Sequence, residues 1–335
     1  MQLLSIIRCP QDQYPLEHVP EHTTEKFVIN GHLKCSLCNR IYPIREGIIF
    51  LLESNDIDEE SRREQTLRDE SSLVSSQQQV EYIYTEYDLM EMRTTIRELD
   101  IEHKQLLLEF GCGAGRYTLP LANMGVSLLA LDFSIESLRL LARRLPSGLP
   151  VGLVQADVTN RCVARGTADR VLSTLVSNLP TKEHRLSMLR VASEALKENG
   201  SFVFSTHHQN IVCRLLGLPP AGRYADSGIY RYYMQKEEVH REAGVYFRRI
   251  FCRPIRVNIP FTKWTGLSAS TMSWIAERIP LLREKGDLLL AKTRTPIHAP
   301  REGEGTRPNP FFAFVYSALK KIEGIRSNET GNGTA

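Results

Sequence analysis

No stretch of this 335-residue chain approaches the ~20 consecutive apolar residues that a membrane-spanning helix needs. The opening Met1-Gln2-Leu3-Leu4-Ser5-Ile6-Ile7-Arg8 is interrupted by Arg8 before a signal-peptide core can form. An excess of charge is missing too: the net charge is +3 and the pI near 8.4, so neither a nucleic-acid-binding nor a membrane-bound life follows from charge. The seven cysteines are scattered, some inside expected core elements, and suit a reducing compartment better than a disulfide framework. A cytoplasmic location is the expectation. No repeat at solenoid spacing is visible. What is present is 42% hydrophobic content, enough for a sizeable core in a chain longer than one ordinary domain.

Leu106-Leu107-Leu108-Glu109-Phe110-Gly111-Cys112-Gly113-Ala114-Gly115-Arg116 joins an apolar strand to a glycine turn, with an acid at the junction. Three glycines there let the backbone come close to a ligand before a helix begins near Arg116. A dinucleotide fingerprint wants G-x-G-x-x-G, and Arg116 stands where the third glycine should be, which disfavours NAD. Ser127 to Leu131 reads as a second strand ending in Asp132, about twenty residues after the loop, where an acid can accept both ribose hydroxyls of a nucleoside. Val151 to Ala156 ends in Asp157. Each acid alone could be a turn residue or a helix cap. Three acids at three successive strand ends are harder to dismiss.

Downstream, Asp169 to Thr174 reads as a fourth strand. A helix from about Thr181 to Lys197 is stopped by Asn199-Gly200, and a fifth strand runs from Ser201 to Thr206. Two further strands are expected around Val245 to Phe251 and Asp287 to Lys292, with Ile275 to Arg283 a helical connection. Alternating strands and helices imply a doubly wound, mostly parallel α/β sheet with ligands at its carboxyl edge.

From Glu109 to Gly115 the sequence resembles motif I of the class I S-adenosylmethionine-dependent methyltransferases, a Rossmann-like fold of seven strands with the seventh antiparallel beside the fifth. The resemblance runs over about residues 106–295. It implies a cofactor site in which Gly111, Gly113 and Gly115 surround the methionine part and Glu109 orients it. Asp132, followed by Phe133, would hold ribose; Asp157 with Val158 would meet adenine, and Thr174 would complete the site. The implied reaction is direct in-line displacement at the sulfonium methyl.

At the N-terminus, Cys9-Pro10-Gln11-Asp12 and Cys35-Ser36-Leu37-Cys38 have the shape of two zinc knuckles around a hairpin expected at Asn30-Gly31. Asp12 replaces the second cysteine of the first knuckle, so the candidate ligands are Cys9, Asp12, Cys35 and Cys38. His18, His22 and His32 are alternatives, and a metal-free ribbon is an even match. With Tyr42-Pro43-Ile44-Arg45-Glu46-Gly47-Ile48, residues 1–53 resemble the small zinc-ribbon proteins that bind and activate methyltransferases, here fused in cis.

The resulting organisation is a zinc-ribbon-like β domain (1–53), a helical linker or lid (54–105), a methyltransferase domain (106–295) with a cap insertion at about 207–245, and a flexible tail (296–335) with a short amphipathic helix at Phe311 to Lys321. Tyr82, Tyr84 and Tyr87 with Asp88 are the expected lid residues. His207 and His208, at the end of the fifth strand, are candidate proton acceptors, against a loop-satisfying role. Tyr230, Tyr232 and Tyr233 either wall an acceptor pocket or pack the cap. The run Asn178-Leu179-Pro180 lacks the second Pro and the Tyr of the motif used on planar amino groups. A small-molecule or lipid acceptor fits best, with RNA next. A cofactor-binding scaffold without catalysis and a nicotinamide reductase are the competing classes.

Overall fold

The computed structural model describes residues 3–297 except 24–27, 53–56, 79–83, 177–178, 180, 226 and 260–265. After a 3-10 turn at Leu4–Ile6, four strands form an antiparallel meander: β1 (Leu16–Thr23), β2 (Val28–Cys35), β3 (Ile41–Arg45) and β4 (Ile48–Phe50). The hairpin does not turn at Asn30-Gly31, as expected from that dipeptide. Both residues lie inside β2, and Gly31 faces Pro20 beside a register shift. A Cβ on Gly31 would come within 2.6 Å of the Val19 carbonyl oxygen, so the glycine serves a bulge and not a turn.

Two helices follow, α1 (Glu59–Gln78) and α2 (Glu86–Leu99). Thr85 and Asp88 close a capping box at the start of α2. The alternating region then supplies β5 (Leu106–Phe110), α3 (Thr118–Asn123), β6 (Ser127–Asp132), α4 (Ile135–Arg144), β7 (Val151–Gln155), β8 (Ala168–Thr174), α5 (Lys182–Ala195) and β9 (Leu196–His208). Strands β7, β6, β5, β8 and β9 lie side by side and parallel. The strands are buried on both faces, which is why they read as continuous apolar runs. Leu108, Phe110, Leu129 and Phe202 pack toward α5, whereas Leu107, Leu128, Ala130 and Val203 pack toward α3 and α4.

α5 ends at Ala195, ahead of Asn199-Gly200. Leu196 is already extended and pairs with Ala168, and the polar Lys197 to Gly200 is absorbed as an irregularity within β9. The cap insertion holds α6 (Ile211–Leu215), β10 (Ala221–Arg223), β11 (Tyr230–Met234) and α7 (Lys236–Ala243); then come β12 (Phe247–Ile255), α8 (Ala269–Ala276), α9 (Pro280–Arg283) and β13 (Leu288–Pro296). β13 runs antiparallel beside β9, with β12 antiparallel outside it, completing the seven-stranded arrangement. β8 flanks β9 as far as Ser205, and β11 pairs with β9 at His207 and His208. The cap hairpin therefore continues past the carboxyl end of β8.

The ribbon is not a separate sheet. β4 pairs in parallel with β7, Ile49 opposite Val154, so all 13 strands among the described residues form one sheet. Of the expected tail, residues 298–335 lie outside the described residues.

Candidate active site

The loop after β5 is shaped by two glycines. Gly111 has φ 68°, and a Cβ there would strike Val176 Cγ2 at 2.2 Å; Gly113 has φ 53° and faces open space, with nothing within 4 Å of a Cβ position. That open space belongs to a cavity of about 630 Å³ at the carboxyl edge of the sheet. Glu109, Gly111, Gly113, Asp132, Phe133, Asp157, Val158 and Thr174 all line it. Gly115 lies behind the loop, where a Cβ would meet Leu141 Cδ1 at 2.4 Å.

Glu109 is buried and accepts a hydrogen bond from the Thr118 hydroxyl at 2.7 Å. Burial pushes its carboxyl up to about 8, against the smaller opposing effects of Thr118 and Arg116. Asp132 accepts from the Gly113 amide at 2.7 Å and the Ser134 amide at 2.9 Å, and burial raises its pKa despite these bonds. Asp157 accepts from the Thr159 amide at 2.8 Å. Leu175, just past β8, lines the cavity with φ 60°, a sparsely populated conformation for a non-glycine residue.

Arg116 occupies the place of the missing third glycine and joins three elements. Its guanidinium reaches Asp88 and Glu91 on α2, both at 3.1 Å, and the Thr174 hydroxyl at 3.2 Å. Glu91 also accepts from the Ser205 hydroxyl at 2.9 Å. Arg116 is therefore a strut between α2, the glycine loop and β8, and its acidic neighbours raise its pKa against burial.

α1 roofs the cavity. Gln65 donates to the Phe133 carbonyl at 2.6 Å, Asp69 accepts from the Ser134 hydroxyl at 2.6 Å, and the Ser72 and Ser137 hydroxyls are 2.7 Å apart. The cap hairpin holds the far side: Arg223 pairs with Glu60 and lies 3.7 Å from Glu64, which accepts from the Tyr230 amide at 3.1 Å. The sequence placed the lid on the tyrosines instead. Tyr84 donates to the Arg116 carbonyl at 3.2 Å and Tyr87 is half exposed beneath Arg256, while Tyr82 lies outside the described residues. The signal for α1 was polar, with Gln65, Asp69 and Ser72 at helical spacing on one side.

The expected proton acceptors are elsewhere. Neither His207 nor His208 lines the cavity. His207 Nε2 is 3.1 Å from the Tyr224 hydroxyl and its ring lies 5.0 Å from that of Tyr233, while His208 Nδ1 is 2.8 Å from the Gly286 carbonyl. The cap hairpin has closed over this strand end, and burial drives His207 down to about 4. The imidazole that does line the cavity is His184, on the first turn of α5; Asp58 lies 3.3 Å from its Nε2, and its Nδ1 is buried without a hydrogen-bond partner. Arg144, the last residue of α4, donates to the Ala114 carbonyl at 3.2 Å and lines the cavity too. Of the three cap tyrosines, Tyr230 reaches the cavity, whereas Tyr232 packs under Arg185 and Tyr233 against His207.

In the ribbon, one ligand atom each from Cys9, Asp12, Cys35 and Cys38 lies within 4.8 Å of the other three. His18, His22 and His32 are not part of this group. The Tyr14 amide, at 2.9 Å, holds the Asp12 carboxyl down to about 2, so an anionic oxygen faces three thiols.

Comparison with known proteins agrees with the two halves of this geometry. Residues 107–200 match the model of a methyltransferase domain, and residues 2–47 match the model of a Trm112p-like protein. A protein of Bacillus subtilis (strain 168), YqeM, described as a candidate methyltransferase, is 25% identical over 112 residues, 33% of this chain and 45% of that protein. The chain thus spans about half the length of that curated relative. Among solved structures, the complex of the Haloferax volcanii Trm112 methyltransferase activator with a candidate methyltransferase aligns at 14% identity and TM-score 0.47, over 63% of this chain and 91% of that one. A phosphoethanolamine N-methyltransferase of Haemonchus contortus, solved with S-adenosyl-L-methionine, aligns at 13% identity and TM-score 0.43, over 61% and 52%. Matches to a methyltransferase-domain model and to a Trm112p-like model therefore fall on one polypeptide.

Proposed function

We propose that this chain, a methyltransferase domain joined to a Trm112p-like ribbon, transfers a methyl group from S-adenosylmethionine to a small-molecule or lipid acceptor. The observation that carries the reading is the convergence of Glu109, Asp132 and Asp157 on one cavity beside the open Gly113. A volume of about 630 Å³ is in the range of single-ligand sites. These residues fit the cofactor: carboxylates stand where an ammonium and ribose hydroxyls need acceptors, and a cradle without Cβ atoms admits the methionine part. When bound, S-adenosylmethionine supplies an electrophilic methyl group with a thioether as its leaving group.

The protein's share is positioning. Glu109 and the glycine loop orient the methionine part, Asp132 exchanges its bond from the Gly113 amide for ribose hydroxyls, and Asp157 with the Val158 amide meets the base. α1 excludes water from above, which strengthens each polar contact below it. His184 is the proton acceptor of this proposal, because it is the imidazole that lines the cavity, with Asp58 3.3 Å from its Nε2. His184→Ala is expected to slow turnover by about 10²-fold or more while cofactor affinity holds.

The roof favours a small acceptor over RNA. An acceptor must pass beneath α1, whose Glu60 and Glu64 are held by Arg223. In the ribbon, the three thiols and Asp12 match the four-ligand set of a structural zinc, with one carboxylate in place of a thiolate. The test is to incubate the protein with methyl-labelled S-adenosylmethionine and cell extract, then partition the label. Label in the organic or small-molecule fraction supports the reading. Label in RNA overturns the acceptor class, and no label with cofactor binding intact points to a scaffold.

A further inference from the structure

Away from the cavity, the short helix α6 leaves the end of β9 with its apolar side uncovered. Leu215 is 81% exposed and Leu216 68%, and Ile211 and Val212 on the same side of the turn are also exposed. Asn210 fixes this helix in place. Its side-chain oxygen accepts from the Cys213 amide at 3.0 Å, and its amide donates to the Lys285 carbonyl at 3.3 Å, two residues beyond α9. α9 presents Leu281, 83% exposed, and Ile279. Two apolar projections therefore flank one tethered junction.

Cations gather around that junction. Arg214, Arg278, Arg283 and Lys285 have no acidic partner within 4 Å among the described residues. The nearby acids are engaged: Glu284 with Lys236 at 2.6 Å and Asp287 with Arg256 at 4.0 Å. Arg278 lies over the Trp274 ring, 3.4 Å from its centre, and Arg93 of α2 lies over it too at 4.5 Å, so that ring is taken up within the protein. Exposed leucines bordered by unpaired cations match the chemistry of an anionic bilayer surface, where apolar groups enter the headgroup boundary and cations meet lipid phosphates. A second copy of this chain is a poorer match, because a twofold contact would oppose the same cations. No helix of the described residues is long and apolar enough to cross a membrane, so attachment here is to the surface only.

We propose that the α6–α9 face docks on anionic lipid bilayers, with Leu215 and Leu216 entering the headgroup layer. The inference stands independently of the methyl-transfer reading. The test floats the full-length chain with vesicles of phosphatidylcholine alone and of phosphatidylcholine mixed with phosphatidylglycerol, at low and high salt. The chain is expected to float with the anionic vesicles and to be released by salt. The double variant Leu215→Glu/Leu216→Glu should bind at least about tenfold more weakly with unchanged thermal unfolding, since both positions are on the surface. Equal flotation of variant and parent overturns the proposal, as does failure of the parent to float. A dimer in light scattering that the variant dissociates assigns the face to a second copy and overturns it as well.

Discussion

Glu109 is the residue whose charge depends most on what the cavity holds. Its pKa in the folded chain, about 8, is raised from an ordinary 4.5 because burial disfavours the carboxylate. The folded state then binds more protons than the unfolded one between those values, so the contribution is full below about 4.5 and is lost as pH rises through about 8. Thermal unfolding of the cofactor-free protein should shift to lower temperature across that window, and Glu109→Gln should flatten the dependence. A parallel pH profile in the variant would place the titration elsewhere. At this scale the gathering of the three acids, Gly111 and Gly113 at one cavity was legible, because an acid closing an apolar strand before a turn is a local pattern. His184 and Arg144 were not legible: each stands among charged residues of its helix, and only the packing of α5 and α4 against the sheet turns them inward.

Among the elements, α1 contributes most that the sequence concealed. Its residues are polar on nearly every side, and its contacts to α4 and the cap are hydrogen bonds and ion pairs, so no apolar stripe marks its buried side. A roof held this way can open. Arg223→Ala removes the link to Glu60 and Glu64, and up to about fivefold faster dissociation of S-adenosylhomocysteine is expected by stopped-flow, the magnitude of a partly exposed ion pair. An unchanged rate would mean that the hairpin does not hold the helix. Asn30-Gly31 and Asn199-Gly200 teach a related lesson. Both read as punctuation, yet both became irregularities inside strands, because pairing with β1 in one case and with β8 in the other overrode the local turn signal.

At the scale of the whole molecule, the parallel sheet followed from the alternation of strands and helices and the antiparallel final pair from the resemblance to the methyltransferases, but the attachment of the ribbon did not. Three residues of β4 pair with β7, and Tyr42, Ile44 and Ile49 share one apolar cluster with Leu129 and Val154. Nothing local in Ile48-Ile49-Phe50 announces a parallel partner a hundred residues away. Because the sheet and the core are shared, chelation with a strong zinc ligand should lower the unfolding temperature of the entire chain in a single calorimetric transition. Two transitions, with only the smaller one responding, would show that the ribbon folds on its own.

The most direct measurement is isothermal calorimetry of S-adenosylhomocysteine binding to the parent chain and to Asp132→Ala. The parent should bind, and the variant, losing bonds between a carboxylate and ribose hydroxyls, should bind about ten- to a hundredfold more weakly with its fold intact by circular dichroism. Absence of binding by the parent, or equal affinity in both, would contradict the assignment of this cavity to S-adenosylmethionine.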